Sequence, residues 1–335
     1  MKKQMDEVTR RRYIVWRRKR IIKRIVIPGA ILVLFLTIGI KSLMLHLRQD
    51  DPIEELVEKV SYIAIDPCEN LDLSPLTSAL EQYGNEIAIY FENLATGCNF
   101  SHRAQEEFFG ASIMKAPFAL WLYTQAELGY IDLEDVIYFT EDDHLGGSGI
   151  IRHNYGIGEA FTIRRLIGLN LYESDNVATH MLRRTFSHTG YVELIVGLGV
   201  SREDAGNILY SRVTAKEVGS IARAIYDYLE SNRMYSAEFK YNLLNNQFPF
   251  ITSNYPVASK TGWYHRYGGA WHDMAIIYAP SPFSLVILSS DRTGTEEDHQ
   301  AYAYITRAFE NFNRLNFSLY QPNETSISSK LKLYR

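Results

Sequence analysis

Three short motifs in this sequence combine a serine or threonine hydroxyl with a lysine or an amide. They are Ser112-Ile113-Met114-Lys115, Ser174-Asp175-Asn176 and Lys260-Thr261-Gly262. A serine hydroxyl is a weak nucleophile and needs an adjacent base to accept its proton. A lysine can be that base when partial burial lowers its pKa. The motifs therefore predict nucleophilic catalysis in which a serine bonds covalently to the substrate.

The first motif begins an apolar segment, residues 112–129, which we predict to be one helix ending at Gly129. On such a helix Lys115 lies on the same face as Ser112, one turn later. Backbone N–H groups at the helix start favour negative charge that develops near the serine. Taken alone, however, the tetrapeptide is better explained by a serine helix cap followed by a solvated lysine.

The second motif follows a predicted helix over residues 163–171 and falls in a loop. From there the hydroxyl of Ser174 can relay a proton to a leaving nitrogen, and the amide of Asn176 can bind a substrate carbonyl. An Asx-type turn between two helices explains the tripeptide equally well, with Asp175 mainly structural.

The third motif closes a predicted strand over residues 257–261. Lys260 and Thr261 provide a cation and a hydroxyl that can hold a substrate carboxylate, and Gly262 permits close approach of another backbone. For this tripeptide alone, a strand end with a solvated lysine is the simpler interpretation.

The elements around these motifs predict an α+β arrangement. A helix over 73–83 and a hairpin over 86–91 and 98–101 precede Ser112, and the middle of the chain is mostly helical, including a helix over 215–229 capped by Thr214. Three strands, 257–261, 270–278 and 285–290, and a closing helix, 296–311, follow. Strands at both ends predict one sheet built from distant segments. The helical middle would then form a second lobe, with a cleft between the two.

In this order and context the three motifs resemble the signature of class A β-lactamases and penicillin-binding proteins. The resemblance covers most of residues 72–312. It implies a β-lactamase/transpeptidase-like α+β fold, in which a five-stranded antiparallel sheet with flanking terminal helices packs against an all-helical lobe. It also implies a serine hydrolase that a substrate acylates.

The resemblance implies a role for each matching residue. Ser112 is the nucleophile, Lys115 its base or proton relay, and Ser174 protonates the leaving group. Asn176 binds the substrate amide, while Lys260, Thr261 and Gly262 form the carboxylate site. The backbone N–H groups of Ser112 and Trp263 form the oxyanion hole.

One family feature is not clear in this sequence. Class A β-lactamases carry a glutamate, in a Glu-x-x-Leu-Asn motif, that activates the water for deacylation. The nearest segment is Glu203-Asp204-Ala205-Gly206-Asn207, which lacks the leucine. Glu203 is therefore a candidate base, although a surface acid is the default. The bulky Trp263 is a second departure, and would narrow the carboxylate end of the cleft.

Three functions follow from this pattern. The first is hydrolysis of β-lactam amides through an acyl-enzyme on Ser112. The second is a peptidoglycan D-alanyl peptidase or transpeptidase, and the third is a penicillin-binding receptor module without turnover. A missing deacylation base would favour the second and third, because the acyl-enzyme would persist. The short basic N-terminal segment is too small for a signalling domain, which counts against the third.

The N-terminal segment predicts a membrane anchor. Residues 1–24 contain eleven Lys or Arg against two acidic residues, and residues 25–40 carry no charge. A span over 25–47 reaches the required length if Lys41 snorkels toward the interface. Because the positive flank precedes the span, we expect a cytoplasmic N-terminus and an extracellular catalytic domain. A cleaved signal peptide is the alternative, but no small-residue cleavage site follows.

The remaining boundaries are a stalk over 48–71, the hydrolase domain over 72–312 and a polar tail over 313–335.

Residues 49–335 carry 22 basic and 37 acidic side chains, which predicts no nucleic-acid partner. The nine histidines lack ligand spacing, so neither a metal nor another cofactor is indicated. The expected ligand is a β-lactam or a D-alanyl peptide, and the sequence leaves the oligomeric state open.

The two cysteines, Cys68 and Cys98, both fall in the part expected outside the cell. A disulfide can form in that environment. Two buried free thiols are an equally good interpretation of the sequence.

Overall fold

The computed structural model describes residues 66–320, apart from residues 85, 187, 188, 266–268, 291 and 293. The predicted basic segment, the membrane span over 25–47, and most of the stalk and tail lie outside the described residues. Within the described part, no helix combines the length and apolar character needed to cross a membrane.

A five-stranded antiparallel sheet lies at the centre of the domain. Its strands are β1 (Ile87–Asn93), β2 (Asn99–His102), β7 (Val257–Tyr264), β8 (Ala270–Ile277) and β9 (Phe283–Ser289). The spatial order is β2-β1-β9-β8-β7. Strand β1 pairs with β9, with Ile89 opposite Ile287, so the two ends of the domain meet in the middle of the sheet. Strand β7, which carries the third motif, is an edge strand.

Helices and two small sheets make up the rest. The helices are α1 (Ser74–Leu80), α2 (Lys115–Glu127), α3 (Ile151–Asn154), α4 (Ile163–Tyr172), α5 (Asn176–Thr185), α6 (Thr189–Gly197), α7 (Arg202–Ala205), α8 (Ala215–Leu229), α9 (Ser236–Leu244) and α10 (Glu296–Phe317). Strand β3 (Glu107–Phe109) pairs with β6 (Arg212–Thr214), and β4 (Val136–Tyr138) pairs with β5 (Ala160–Thr162). As predicted, Thr214 caps α8, where Glu217 completes a capping box.

The sheet separates two hydrophobic cores, because successive side chains of a strand point to opposite faces. On one face Ile89 and Phe91 pack with Phe309 of the terminal helix α10. On the other, Ala88 and Val286 belong to the larger core that continues into the helices between β3 and β7. The predicted α+β fold, with its five-stranded antiparallel sheet and flanking helices, is confirmed.

Two element boundaries differ from the prediction at the motifs. The segment expected to be helical from Ser112 begins its helix only at Lys115, because Ala111 adopts a left-handed φ of 45° and residues 111–114 form a turn. The strand expected to end at Thr261 continues to Tyr264, so the third motif lies in the middle of β7. Ser112 therefore lies in a tight turn, and Lys115 is the first residue of the helix that follows it.

Cys68 and Cys98 form a disulfide, with Cα atoms 5.3 Å apart. The bond joins the segment before α1 to the residue that precedes β2. The alternative of two free thiols is therefore wrong.

Candidate active site

The turn that carries Ser112 is held from two sides. The Phe109 carbonyl, at the end of β3, accepts a hydrogen bond from Nε2 of the fully buried His272 on β8 (2.7 Å). The N–H of Gly110 donates to the carbonyl of Ser211, just before β6 (2.8 Å). Ser112 itself is 9% exposed. The nucleophile candidate thus lies at a fixed turn that retains some access to solvent.

Gly262 allows β7 to lie directly against this turn. A Cβ atom at Gly262 would lie 3.0 Å from both the Ser112 nitrogen and the Gly110 carbonyl oxygen, and 3.1 Å from the Ile113 nitrogen. These neighbours are backbone atoms that cannot rotate away. The close approach expected for this glycine is confirmed, and it places the third motif beside the first.

The side chains of all three motifs meet at Ser174. Lys115 Nζ donates to the Ser174 carbonyl oxygen (2.6 Å), to Asn176 Oδ1 (2.6 Å) and, at 3.3 Å, to Ser174 Oγ. Lys260 Nζ donates to Ser174 Oγ (3.0 Å) and to the Thr261 carbonyl oxygen (2.7 Å). Segments far apart in the sequence therefore form one hydrogen-bonded cluster, with Lys115 only three residues from Ser112.

Burial lowers the pKa of both Lys115 and Lys260, whose side chains are fully buried. Desolvation and then the nearby charge of Lys260 hold the pKa of Lys115 well below its usual value, against a smaller opposing effect of Asp175. Desolvation lowers the pKa of Lys260 to about 7, opposed by the carboxylate of Asp273. The lowered pKa of Lys115 favours its neutral amine, the form that can accept a proton.

The loop that presents Ser174 is strained and firmly held. Ser174 has a φ of 51°, which is unfavourable for a residue other than glycine. Asp175 caps α5 by accepting the Ala178 N–H (3.0 Å), and its other oxygen accepts the N–H groups of Ile150 (2.7 Å) and Ile151 (2.9 Å). These bonds agree with the structural role expected for Asp175, because they fix the residues on either side of it.

Asn176 is the first residue of α5 and already has protein partners for both polar atoms. Its Oδ1 accepts from Lys115, and its Nδ2 donates to the Gly146 carbonyl (2.8 Å). An amide nitrogen has two hydrogens. The second one remains for the substrate carbonyl that this residue is predicted to bind.

The other predicted site residues differ in exposure. Thr261 is nearly buried, at 2% exposed, whereas Trp263 is 44% exposed near the end of β7. Glu203 is an exposed residue of the short helix α7. Among the described residues it makes no hydrogen bond or ion pair with Ser112, Lys115 or Ser174. The structure therefore does not join this carboxylate to the lysine cluster.

Three residues that hydrogen-bond to the backbone of the site were not predicted from the sequence. Asn170 donates from Nδ2 to the Lys115 carbonyl (3.2 Å), Ser148 donates from Oγ to the Ser174 carbonyl (2.8 Å), and His272 holds the nucleophile turn. Of these, only Ser148 could have been identified from the sequence, because it lies in a Gly-Gly-Ser-Gly run that is typical of close backbone approach. Asn170 and His272 each lie in an element that contains other polar residues, so residue type and spacing do not distinguish them.

The sequence profile of the beta-lactamase enzyme family matches residues 74–312. The chain belongs to the beta-lactamase enzyme family. This membership confirms the resemblance inferred from the three motifs. A comparison with curated proteins gave no significant match.

Solved structures of β-lactamases and of a PBP-A share the fold at low sequence identity. A β-lactamase from Sphaerobacter thermophilus is 21% identical, with 76% of this chain and 100% of that chain covered and a TM-score of 0.61. A β-lactamase from Chitinophaga pinensis is 19% identical, covering 71% of this chain and 97% of its own, with a TM-score of 0.61. A PBP-A mutant, solved as an acyl-enzyme complex with penicillin G, is 15% identical, covering 72% and 98%, with a TM-score of 0.58. These likenesses show the beta-lactamase fold.

Proposed function

We propose that this protein is a serine hydrolase that reacts with β-lactam amides through an acyl-enzyme on Ser112. The observation that carries the proposal is the convergence of Lys115 and Lys260 on Ser174, beside the turn that holds Ser112. A hydroxyl, a desolvated amine and a second hydroxyl are the groups that serine acylation needs. Family membership supports the same chemistry.

In the proposed reaction, neutral Lys115 accepts the proton of Ser112 as its Oγ attacks the substrate carbonyl carbon. The backbone N–H groups of Ser112 and Trp263 stabilise the resulting oxyanion. The C–N bond then breaks, and Ser174 donates its proton to the leaving nitrogen. Lys260, when charged, and the Thr261 hydroxyl hold the substrate carboxylate.

Deacylation is expected to be slow. Hydrolysis of the ester on Ser112 needs a base to activate water, and the candidate Glu203 is an exposed side chain outside the lysine cluster. This observation favours a second candidate function, a D-alanyl peptidase or transpeptidase. In that case the acyl group derives from a D-alanyl peptide and passes to water or to an amine.

We also propose that the catalytic domain faces the cell exterior, anchored through residues 25–47. The basic flank of that segment supports this orientation. The disulfide between Cys68 and Cys98 supports it independently, because such bonds persist in oxidising compartments.

The test is to mix the full-length protein with a chromogenic cephalosporin and follow both product release and intact mass. Continuous turnover supports the hydrolase. A stoichiometric adduct that persists, together with D-alanine release from a D-alanyl-D-alanine peptide, supports the second candidate. The Ser112→Ala variant is the control and should give neither signal. If the unaltered protein gives neither turnover nor an adduct on Ser112 with any β-lactam, and releases no D-alanine from the peptide, both candidates fail.

A further inference from the structure

Residues 146–151 lie along the Ser174-Asp175-Asn176 motif and hydrogen-bond to each of its three residues. Ser148 bonds to the first and the last of them. Its Oγ donates to the Ser174 carbonyl oxygen (2.8 Å), and its own carbonyl oxygen accepts the Asn176 N–H (3.0 Å). One residue therefore holds the backbone of the motif on both sides of Asp175.

The close contact between the two segments depends on Gly149, the neighbour of Ser148. Its φ of 119° is a conformation that residues with a side chain rarely adopt. A Cβ atom at this position would lie 2.7 Å from the Cα of Asp175, a backbone atom that cannot rotate away. The backbone beside Ser148 therefore lies directly against the motif, which keeps the Ser148 hydroxyl within reach of the Ser174 carbonyl.

Ser174 needs such contacts because its backbone is strained. A φ of 51° is unfavourable in a serine and persists only where the surrounding structure imposes it. Two groups hold the Ser174 carbonyl oxygen, the Nζ of Lys115 at 2.6 Å and the Oγ of Ser148 at 2.8 Å. The orientation of this peptide group sets the direction of the Cα–Cβ bond, and so determines where the Ser174 hydroxyl lies.

The two bonds to the Ser174 carbonyl respond differently to the protonation of Lys115. In the proposed acylation Lys115 starts as a neutral amine and becomes charged when it accepts the Ser112 proton. A hydrogen bond from a charged donor is about twice as strong as one from a neutral donor, so the Lys115 bond is weaker when the reaction begins. The Ser148 hydroxyl is uncharged in both states, and its bond to the carbonyl keeps its strength throughout.

We propose that Ser148 is a positioning residue that holds the Ser174 hydroxyl in place for proton transfer to the leaving nitrogen while Lys115 is neutral. This inference rests on the proposed acylation of Ser112 and adds one residue to it. Because Ser148 acts through Ser174, its hydroxyl should affect the rate of the chemical step and not the affinity of the non-covalent complex.

The experiment mixes the full-length protein rapidly with benzylpenicillin and follows adduct formation by intact mass at several concentrations. This separates the acylation rate constant from the dissociation constant of the non-covalent complex. Ser148→Ala should lower the rate constant about three- to tenfold, as expected for one neutral hydrogen bond, and leave the dissociation constant within about twofold. Ser148→Thr retains the hydroxyl and should restore the rate constant to within about twofold of that of the unaltered protein.

Ser231→Ala is the matched control. The Ser231 hydroxyl also donates to a backbone carbonyl, that of Tyr228, at 2.6 Å. Ser231 follows helix α8 in the chain, apart from the three motifs, so its replacement should change neither constant. A thermal melt of each variant checks that it is folded.

An unchanged rate constant in folded Ser148→Ala would overturn the proposal. An equal loss in Ser148→Thr would also overturn it, because the effect would then come from packing and not from the hydroxyl. So would a change confined to the dissociation constant, which would make Ser148 a substrate-binding residue. All three results leave the proposed acylation of Ser112 intact. If no β-lactam acylates the unaltered protein, the proposed function fails and the role of Ser148 fails with it.

Discussion

Replacement of Gly262 by alanine tests whether the contact between β7 and the nucleophile turn sets the rate of acylation. The added Cβ would lie 3.0 Å from two backbone atoms, whereas ordinary contacts are 3.4 Å or longer, so one segment must move by about 0.4 Å. Overpacking of this kind costs about 1–3 kcal/mol. The atom displaced is the Ser112 nitrogen, an expected oxyanion donor, and loss of one such donor slows an enzyme about 100- to 1000-fold.

A partial displacement should therefore slow acylation of Gly262→Ala by about 10- to 100-fold. The assay is rapid mixing of the full-length protein with benzylpenicillin, followed by intact mass, with a thermal melt to confirm folding. Gly197→Ala is the matched control, because a Cβ at Gly197, the last residue of α6, meets no atom within 4 Å. A folded Gly262→Ala variant that is acylated within twofold of the unaltered rate would refute the reasoning.

Three further outcomes are expected. Lys115→Met removes the base and should slow acylation by about 100- to 10,000-fold, measured as adduct formation; a rate within tenfold of normal contradicts its role. The pKa of Lys260 is lowered to about 7, so its charge is present below that pH and lost above it. The second-order acylation constant should thus fall as pH rises beyond 7, and a flat profile contradicts a carboxylate site there. Cys68→Ser opens a cross-link between residues 30 apart and should lower the free energy of unfolding by about 3–4 kcal/mol, measured with urea. A loss below about 1 kcal/mol contradicts this.

The sequence predicted the fold and the convergence of the motifs better than it predicted local geometry. Alternation of apolar residues and the predicted cap residue Thr214 report on elements directly, because those signals are local. The turn at Ser112 depends on the left-handed backbone of Ala111. A glycine at that position would have indicated such a backbone, but the residue is an alanine. For that reason the helix was predicted to start three residues too early.

Residues that act through tertiary contacts could not be identified from spacing. His272 lies next to Asp273 in an otherwise apolar strand, and its role depends on a carbonyl in β3. Conversely, Glu203 matched the spacing of a family motif, but it lies on a four-residue helix at the surface. A motif spacing fixes residue types along the chain, whereas burial is decided by how the segments pack.

The position of Ser174 between two lysine side chains determines which way its hydrogen points. A hydroxyl oxygen has two lone pairs, and Lys115 and Lys260 both donate to this one, at 3.3 and 3.0 Å. Its own hydrogen must therefore be directed away from both lysines. In the proposed reaction, each proton that the serine releases can be replaced from an adjacent lysine. In that reaction the cluster would relay protons to the leaving nitrogen, with the two lysines as the reservoir that reprotonates Ser174.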